Sequence, residues 1–234
     1  MFIIEIAKIK IQIINKYKYL EKLCSDYIVD SSSFDFSISV SDEEIEEEKK
    51  KDEVNHTNGY LESICLYRKI CLELIKYDAF VIHACTIKID NYAYLLSAKS
   101  GTGKTTHSRL LKEYLGDRMT YINGDKPIIR IFNGVPYAFG TPWNGKERYG
   151  ENTNAQVKAI VFIERAKENS IELINKDKLL SKIINQILIP NNEEGVTKTF
   201  MLTDILLNNT KQYILKCNMD ISAAICSYNA ITKG

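Results

Sequence analysis

Residues 98–105, which read Ala-Lys-Ser-Gly-Thr-Gly-Lys-Thr, have the composition and spacing of a phosphate-binding P-loop. The usual pattern starts with glycine, continues through four free positions and ends in Gly-Lys-Ser/Thr, and alanine replaces only the first glycine here. Small residues let successive backbone N–H groups turn towards a polyphosphate, and the helix that follows points its positive dipole end at the same anion. The pattern therefore predicts that Lys104 reaches the β- and γ-phosphates of a nucleotide and that the Thr105 hydroxyl binds Mg²⁺.

A carboxylate follows the P-loop at Asp125, shortly after the mainly apolar residues 121–123. P-loop proteins place a carboxylate downstream of the loop, where it holds Mg²⁺ or accepts a proton. The sequence Asn123-Gly124-Asp125 also has the composition of a turn between two strands. Both interpretations of Asp125 stay open at this point.

Two histidines lie close to the P-loop in sequence. His83 belongs to the apolar stretch of residues 80–89, and a single histidine on an apolar strand is commonly structural. Pairing with the strand that enters the loop would bring it next to a carboxylate or a phosphate. His107 lies one turn into the helix after the loop, and we expect it on the helix surface or beside the adenine ring.

The segment of residues 140–146, Gly-Thr-Pro-Trp-Asn-Gly-Lys, contains the only tryptophan of the chain. Such a loop could close over a substrate, with Trp143 stacking on it and Lys146 pairing with a phosphate or carboxylate. The alternative is that Pro-Trp anchors the loop against the core. Lys126, next to the acidic position, either contacts phosphate or caps a strand end.

The P-loop lies between the two elements that its chemistry needs. Residues 92–96 form a short apolar and aromatic run that is typical of a buried strand. Residues 106–115 carry apolar side chains at helical spacing, and Gly116 marks the end of that helix. The order strand, loop and helix supports the phosphate-binding interpretation.

Hydrophobic periodicity predicts an α/β fold in which helices flank a mixed sheet, preceded by a small strand-containing N-terminal extension. We predict that residues 1–55 are this extension, including an acidic linker, and that residues 56–234 form the main domain. The charged run at residues 42–51 is expected to be an exposed helix turn or a mobile linker, with a partner-binding acidic patch as the alternative. Strands are predicted at residues 9–13, 34–38, 80–89, 92–96, 119–122, 128–132, 157–164 and 213–215, and helices at residues 59–77, 179–187 and after Asp220.

The composition weakens several functional classes. The chain has 31 Lys and Arg against 30 Asp and Glu, a net charge of +1, so no global field recruits nucleic acid or an acidic membrane. The apolar N-terminus is interrupted by Glu5 and Lys8, which predicts no signal peptide, and no segment is apolar for long enough to span a membrane. Six scattered cysteines fit a reducing compartment. We therefore expect a cytoplasmic protein without nucleic-acid or membrane partners.

The combination of His83, the predicted hairpin, the P-loop and Asp125 resembles the C-terminal catalytic domain of HPr kinase/phosphorylase, a fold related to phosphoenolpyruvate carboxykinase. The resemblance covers roughly residues 60–231. Three segments, 97–107, 122–127 and 140–146, are similar to HPr-kinase-like proteins of bacteria, including peptide-serine kinases from clusters that make modified peptides.

This resemblance implies a P-loop kinase domain that uses ATP and Mg²⁺ to phosphorylate a hydroxyl-bearing acceptor, usually a serine, and it also implies a homo-oligomer. The departures weigh against HPr as the acceptor and against the phosphorylase reaction. Gly124-Asp125 replaces adjacent aspartates, Thr105-Thr106 replaces Ser-Glu, and the Glu-Ile/Leu-Arg-Gly signature is absent from the sequence.

The predicted site has three groups of residues. Catalysis is assigned to Asp125, His83 and Lys104, metal binding to Thr105 and Asp125, and substrate binding to Trp143, Lys146 and Lys126. Nucleotide binding is assigned to Ser100, Gly101, Thr102, Gly103, Lys104, Thr105 and Thr106. The alternatives are a nucleotide-dependent switch protein without phosphotransfer and, less favoured, a decarboxylating enzyme like phosphoenolpyruvate carboxykinase. The spacing of the motifs does not predict which hydroxyl compound is the acceptor.

Overall fold

A computed structural model of the chain describes residues 1–51, 54–99 and 101–233, without the side chains of residues 176–178. Within these ranges, helices flank a nine-stranded mixed sheet, and a separate three-stranded sheet lies in the N-terminal part of the chain. The small sheet contains β1 (Phe2–Ile6), β2 (Ile9–Ile14) and β3 (Phe36–Ser39). The large sheet contains β4 (Ala79–Val81), β5 (Cys85–Ile89), β6 (Tyr92–Ser97), β7 (Met119–Asn123), β8 (Ile128–Phe132), β9 (Val135–Phe139), β10 (Asn154–Arg165), β11 (Ser170–Leu173) and β12 (Lys211–Cys217).

The helices occur between and after these strands. The α-helices are α1 (Tyr19–Leu23), α2 (Asp42–Lys49), α3 (Asn58–Glu73), α4 (Lys104–Leu115), α5 (Lys176–Ile183), α6 (Glu193–Asn208) and α7 (Ile221–Lys233). Short 3₁₀ turns follow several of them, among them Leu74–Tyr77 and Ile184–Gln186. No helix among the described residues is long and apolar enough to cross a lipid bilayer.

The large sheet mixes parallel and antiparallel pairs. Its strand order is β4-β8-β9-β10-β6-β5-β7, and β12 pairs with the second half of β10 and carries β11 on its other side. Strand β10 runs parallel to both β6 and β12, whereas the remaining pairs are antiparallel. The predicted α/β class with a mixed sheet is confirmed.

An apolar layer covers each face of the large sheet. Leu111 of α4 and the buried face of α7 pack with Leu96 on one side. Ile183 of α5 and the buried face of α6 pack with Leu95 on the other side. Because successive side chains of a strand point to opposite faces, two neighbouring leucines of β6 supply both layers.

The small sheet shares its core with α3. Ile11 of β2, Leu66 and Ile70 of α3, and Trp143 from the later loop belong to one cluster of buried apolar side chains. The N-terminal strands therefore pack directly on the helix that leads into the large sheet. The boundary placed at residue 55 stays a prediction.

The charged run forms a helix, which is the first of the two structures that the sequence allowed for it. Ser41 and Glu44 make a reciprocal capping box at the start of α2, with Ser41 N donating to Glu44 Oε2 at 2.8 Å. Glu48 accepts two hydrogen bonds of 2.8 Å from the Arg68 guanidinium of α3. The contact between Glu48 and Arg68 holds α2 against α3.

One predicted strand is wrong as a single element. Residues 80–89 form two strands, β4 and β5, because β4 pairs with β8 whereas β5 pairs with β6 and β7. The chain changes partners at residues 82–84. His83 therefore lies in the connection between two strands and not on a continuous strand.

The other predicted elements are present with small shifts of their ends. The helix over residues 59–77 is α3 plus the Leu74–Tyr77 turn, and the strand over 157–164 is the longer β10. Asp220 caps α7 as predicted, since its Oδ1 atom accepts a hydrogen bond of 2.9 Å from the Ser222 N–H group. Five elements that the sequence did not predict, β1, α1, β9, β11 and α6, complete the fold.

Candidate functional site

The P-loop connects the end of β6 to the start of α4. Ala98, which replaces the usual first glycine, is only 6 % exposed. Gly101 and Gly103 have φ angles of +73° and +124°, in the region that favours glycine. Apart from its chain neighbours, a Cβ atom at either position would meet no atom of the described residues within 4 Å. Backbone conformation, and not lack of space, therefore explains these two glycines.

The predicted nucleotide-binding residues occupy the end of the loop and the first helical turn. Gly101 and Thr102 lie in the loop, Gly103 is the N-cap of α4, and residues 104–106 open the helix. Ser100 lies outside the described residues.

The N-terminus of α4 has the properties of an anion site. Among the described residues, no side chain caps this end of the helix. The N–H groups of its first turn and the positive end of its dipole are therefore available to an anion. Together with the two glycines, this end of the helix fits a phosphate chain.

Lys104 lies at the centre of the site. Its Nζ atom is 3.1 Å from the Nε2 atom of His83 and donates a hydrogen bond of 3.3 Å to the Ala98 carbonyl oxygen. Burial lowers the pKa of Lys104, and the nearby charge of Asp125 opposes that change. The ammonium group is thus held between the loop and the acidic side of the site.

Asp125 lies beyond the end of β7 and contacts His83. Its Oδ1 atom is 3.1 Å from His83 Nε2, and its side chain is 30 % exposed. The hydrogen bond from His83 is the main cause of the lowered pKa of Asp125. Burial opposes this change, and the positive charges of His83, Lys126 and Lys104 add to it. The carboxylate is therefore ionised at neutral pH.

Backbone hydrogen bonds fix the position of His83. The Ala84 N–H group donates to the Asp125 carbonyl oxygen at 3.0 Å, and the His83 N–H group donates to the Gln186 carbonyl oxygen at 2.7 Å. The connection between β4 and β5 is therefore tied to the Asp125 turn on one side and to the turn after α5 on the other. The structure brings together all three side chains predicted to be catalytic, His83, Lys104 and Asp125.

Asn123 organises the Asp125 turn, a role that the sequence did not reveal. Its side chain is fully buried, and its Oδ1 atom accepts hydrogen bonds from the Asp125 and Lys126 N–H groups at 2.9 and 2.7 Å. Its Nδ2 atom donates to Thr141 Oγ1 at 2.9 Å. The turn interpretation and the site interpretation of residues 123–125 are therefore compatible, because the turn presents the carboxylate.

The segment of residues 140–146 lies against the Asp125 turn. A Cβ atom at Gly145 would lie 2.9 Å from the Cβ atom of Asp125, and the φ angle of Gly145 is +85°. Any side chain at this position would be strained and would press on the carboxylate residue. The segment thus forms part of the wall beside Asp125.

Trp143 has the contacts of an anchor in the core. Its ring stacks on Tyr67 with 4.5 Å between the centroids, and its Nε1 atom donates to the Ser63 carbonyl oxygen at 3.1 Å. The hydroxyl of Tyr67 donates to the Lys126 carbonyl oxygen at 2.9 Å. This position matches the anchoring alternative, in which Pro-Trp holds the loop against the core.

The two lysines assigned to substrate binding have different surroundings. Lys146 is exposed, and Lys126 is half-buried next to Asp125. The backbone of Lys126 is held by Asn123 and Tyr67. The substrate roles of both lysines stay predictions.

Comparisons with known proteins give a distant relationship of fold. No protein-family profile matches the chain, and no curated protein sequence matches it. Among solved structures, the chain is similar to the Hpr(Ser) kinase/phosphatase from Coxiella burnetii with a TM-score of 0.40 and 11 % sequence identity. That alignment covers 65 % of this chain and 97 % of the other. At this level the similarity concerns the fold alone.

Arg165, at the end of β10, binds the backbone of the P-loop. Its Nε atom donates to the Thr102 carbonyl oxygen at 3.2 Å, and its Nη2 atom donates to the Gly101 carbonyl oxygen. By holding two carbonyl groups, the guanidinium fixes the orientation of the loop peptides. No local pattern indicates this contact, because Arg165 lies 63 and 64 positions after Thr102 and Gly101 in the chain.

His107 corrects an expectation from the sequence. It is 2 % exposed and contacts Ser227 of α7, with 3.0 Å between His107 Nε2 and Ser227 Oγ. It therefore lies neither on the helix surface nor in an open nucleotide site. Burial lowers the pKa of His107 to about 4, so the imidazole is neutral at pH 7.

The residues present fit Mg²⁺ only together with phosphate oxygens. Among the described residues, no cluster of three or more His, Cys, Asp or Glu side chains could hold a metal ion. Mg²⁺ is commonly bound by one or two protein groups plus substrate phosphates. The ionised Asp125 and the half-buried Thr105 at the phosphate end of α4 meet that requirement.

Proposed function

We propose that the protein is an ATP- and Mg²⁺-dependent kinase that transfers a phosphoryl group to a hydroxyl, of the serine type, on a peptide, protein or small molecule. The observation that carries the proposal is the contact of Lys104, His83 and Asp125 beside an anion-binding helix N-terminus. A cation suited to phosphate and a carboxylate suited to accept a hydroxyl proton, close together, support this proposal.

The P-loop side of the site supplies charge neutralisation. The Lys104 ammonium group and the N–H groups of residues 101–105 would surround the phosphate chain. ATP, bound with Mg²⁺ on Thr105 and Asp125, would supply the phosphoryl group. Preorganised positive groups of this kind provide most of the catalysis that a protein can contribute to phosphoryl transfer.

The Asp125 side of the site supplies the acceptor for the hydroxyl proton. Its pKa is lowered chiefly by the His83 hydrogen bond, so the carboxylate is ionised at neutral pH and has a free position for a proton. His83 orients the carboxylate through Nε2, and Asn123 fixes the turn through two backbone N–H groups. Orientation of the base is a prerequisite for efficient proton transfer.

A transfer assay tests the proposal against the switch alternative. The protein is incubated with γ-labelled ATP, Mg²⁺ and a panel of hydroxyl compounds and serine peptides, next to Lys104→Met. If the wild-type protein labels an acceptor and Lys104→Met does not, the result supports a kinase. Binding of ATP without label in any acceptor supports a switch protein, and ATP binding that Lys104→Met leaves unchanged refutes the phosphate-loop assignment.

A further inference from the structure

A cavity of about 520 Å³ lies beside the P-loop, between the end of β10 and the turn after α5. Its wall contains the loop residues Ala98 and Thr102, the β10 residues Phe162 and Glu164, and Lys182 and Gln186 from the α5 segment. Small-molecule sites typically have volumes of about 300–1,000 Å³. The cavity is therefore of the size that holds a small molecule.

Two polar atoms at the cavity lack a hydrogen-bond partner among the described residues. One is the hydroxyl oxygen of Ser97, a residue that is fully buried, and the other is the buried Oε1 atom of Gln186. Buried polar atoms are nearly always hydrogen-bonded, so an unpaired one is unusual and destabilising. The cavity wall therefore includes two polar side chains whose hydrogen-bonding capacity is unused among the described residues.

Two residues of the cavity wall accept hydrogen bonds from residues predicted to be catalytic. The Ala98 carbonyl oxygen accepts the hydrogen bond from Lys104 Nζ, and the Gln186 carbonyl oxygen accepts the hydrogen bond from the His83 N–H group. Lysines at this position of a P-loop reach the β- and γ-phosphates. The cavity therefore adjoins the end of the site where the phosphoryl group would be transferred.

The charge of the wall indicates which compounds the cavity favours. Among the described residues, Lys99, Arg165 and Lys182 line it together with one carboxylate, Glu164. Lys182 donates to Glu164 at 2.6 Å, and Arg165 binds the loop carbonyls. The excess of cations favours a ligand that carries a carboxylate.

We propose that this cavity binds the phosphate acceptor, and that the acceptor is a small hydroxyl compound with a carboxylate, such as a hydroxy acid or a hydroxyl amino acid. The inference rests on the proposed kinase function. In the transfer, the bond between the γ-phosphorus and the β,γ-bridging oxygen breaks and its electron pair leaves with ADP. The acceptor oxygen forms the new bond to phosphorus, and its proton goes to the Asp125 carboxylate.

The test measures acceptor and nucleotide binding separately. L-serine, L-threonine, D-glycerate and glycerol are titrated calorimetrically into the protein with a non-hydrolysable ATP analogue and Mg²⁺, and a fluorescent ATP analogue reports nucleotide affinity. The variants are Gln186→Leu, Lys182→Met and Lys182→Arg. Lys198→Met, which removes a surface ion pair with Asp78, is the matched control.

The proposal predicts binding of at least one carboxylate compound, at least tenfold tighter than glycerol. Gln186→Leu and Lys182→Met weaken that binding at least tenfold, Lys182→Arg restores most of it, and nucleotide affinity stays within twofold. Weakened nucleotide binding with unchanged acceptor binding would make the cavity a nucleoside site and overturn the inference. So would a wild-type protein that binds nucleotide but none of the carboxylate compounds. A wild-type protein that binds no nucleotide would instead refute the proposed kinase function.

Discussion

The Nε2 atom of His83 lies 3.1 Å from Asp125 Oδ1 and also 3.1 Å from Lys104 Nζ. A ring nitrogen donates only when it carries a proton, so Nε2 can donate to Asp125 or accept from Lys104, but not both. The hydrogen bond from His83 is the main cause of the lowered pKa of Asp125. In the arrangement that stabilises the carboxylate, Nε2 therefore carries the proton. In that arrangement Nε2 binds the acidic side of the site, while Lys104 keeps its hydrogen bond to the Ala98 carbonyl oxygen.

Replacing His83 with alanine should shift the acidic limb of the pH–rate profile. The carboxylate loses its main stabilising hydrogen bond while burial still favours the neutral form, so the pKa of Asp125 rises. The acidic limb therefore moves to higher pH. Because the carboxylate also loses the contact that orients it, phosphoryl transfer at neutral pH falls by about tenfold to a hundredfold. Initial rates from pH 3 to 9 test this, because the lowered pKa of Asp125 puts the wild-type limb at the acidic end of that range. An acidic limb of the variant at the wild-type position would contradict the role of His83.

Replacing Asn123 with leucine should destabilise the fold and loosen the Asp125 turn. The substitution keeps the branched shape and the number of side-chain heavy atoms but leaves the Asp125 and Lys126 N–H groups without their acceptor. Unpaired buried groups of this kind cost about 2–4 kcal/mol in total, which urea unfolding measures. Asn208→Leu, which removes only an exposed hydrogen bond to Asp204, is the control and should change stability by less than about 0.5 kcal/mol. Equal stability of the two variants would refute the organising role.

Local patterns were sufficient to predict the phosphate side of the site. The strand before the loop, the loop glycines and the helix that Gly116 ends are contiguous in sequence, so their geometry follows from short-range rules. Asp125 was also predictable, because it follows an apolar strand at a typical distance from the loop. The sequence predicted these parts with nearly correct ends.

Contacts between distant segments could not be predicted in the same way. Arg165 and Gln186 reach the site only because β10 lies next to β6 and the turn after α5 lies next to His83. From the sequence alone, Trp143 could face either a ligand or the core. It lies in the core because Tyr67 of α3 stacks on its ring. His107 is buried because α7 covers α4, which no pattern within α4 reveals.

Replacing Arg165 with methionine should weaken nucleotide binding. The guanidinium holds the Gly101 and Thr102 carbonyl oxygens, and hydrogen bonds from a charged donor contribute about 1.5–3 kcal/mol. The expected loss is therefore about tenfold to a hundredfold in the dissociation constant of Mg-ATP, measured by calorimetry. Arg165→Lys should restore little, because one ammonium group cannot reproduce the two-pronged contact.

Arg118→Met is the matched control for that experiment. Arg118 pairs with Asp90 and contacts Tyr228, away from the loop carbonyls. Its replacement should leave the nucleotide dissociation constant within twofold of wild type. Nucleotide affinities that are the same for the two variants would show that Arg165 does not support the loop.

His107 should make the free energy of unfolding depend on pH. Burial lowers its pKa from 6.5 to about 4 in the folded state, so between these values the unfolded chain binds more protons. The free energy of unfolding should therefore fall as the pH decreases from 6.5 to 4, by up to about 3 kcal/mol. Urea unfolding of wild type and His107→Gln at several pH values measures this slope. Parallel curves for the two proteins would contradict the burial of a neutral imidazole.

The rate of acceptor phosphorylation by Asp125→Asn at saturating Mg-ATP tests the account most directly. The amide keeps the shape of the carboxylate but neither carries its charge nor accepts the hydroxyl proton. We predict a rate at least about a hundredfold below wild type, consistent with loss of a positioned base, while metal-free ATP binds within threefold of wild type. A rate equal to wild type would remove Asp125 from the mechanism and contradict a site built on Lys104, His83 and Asp125.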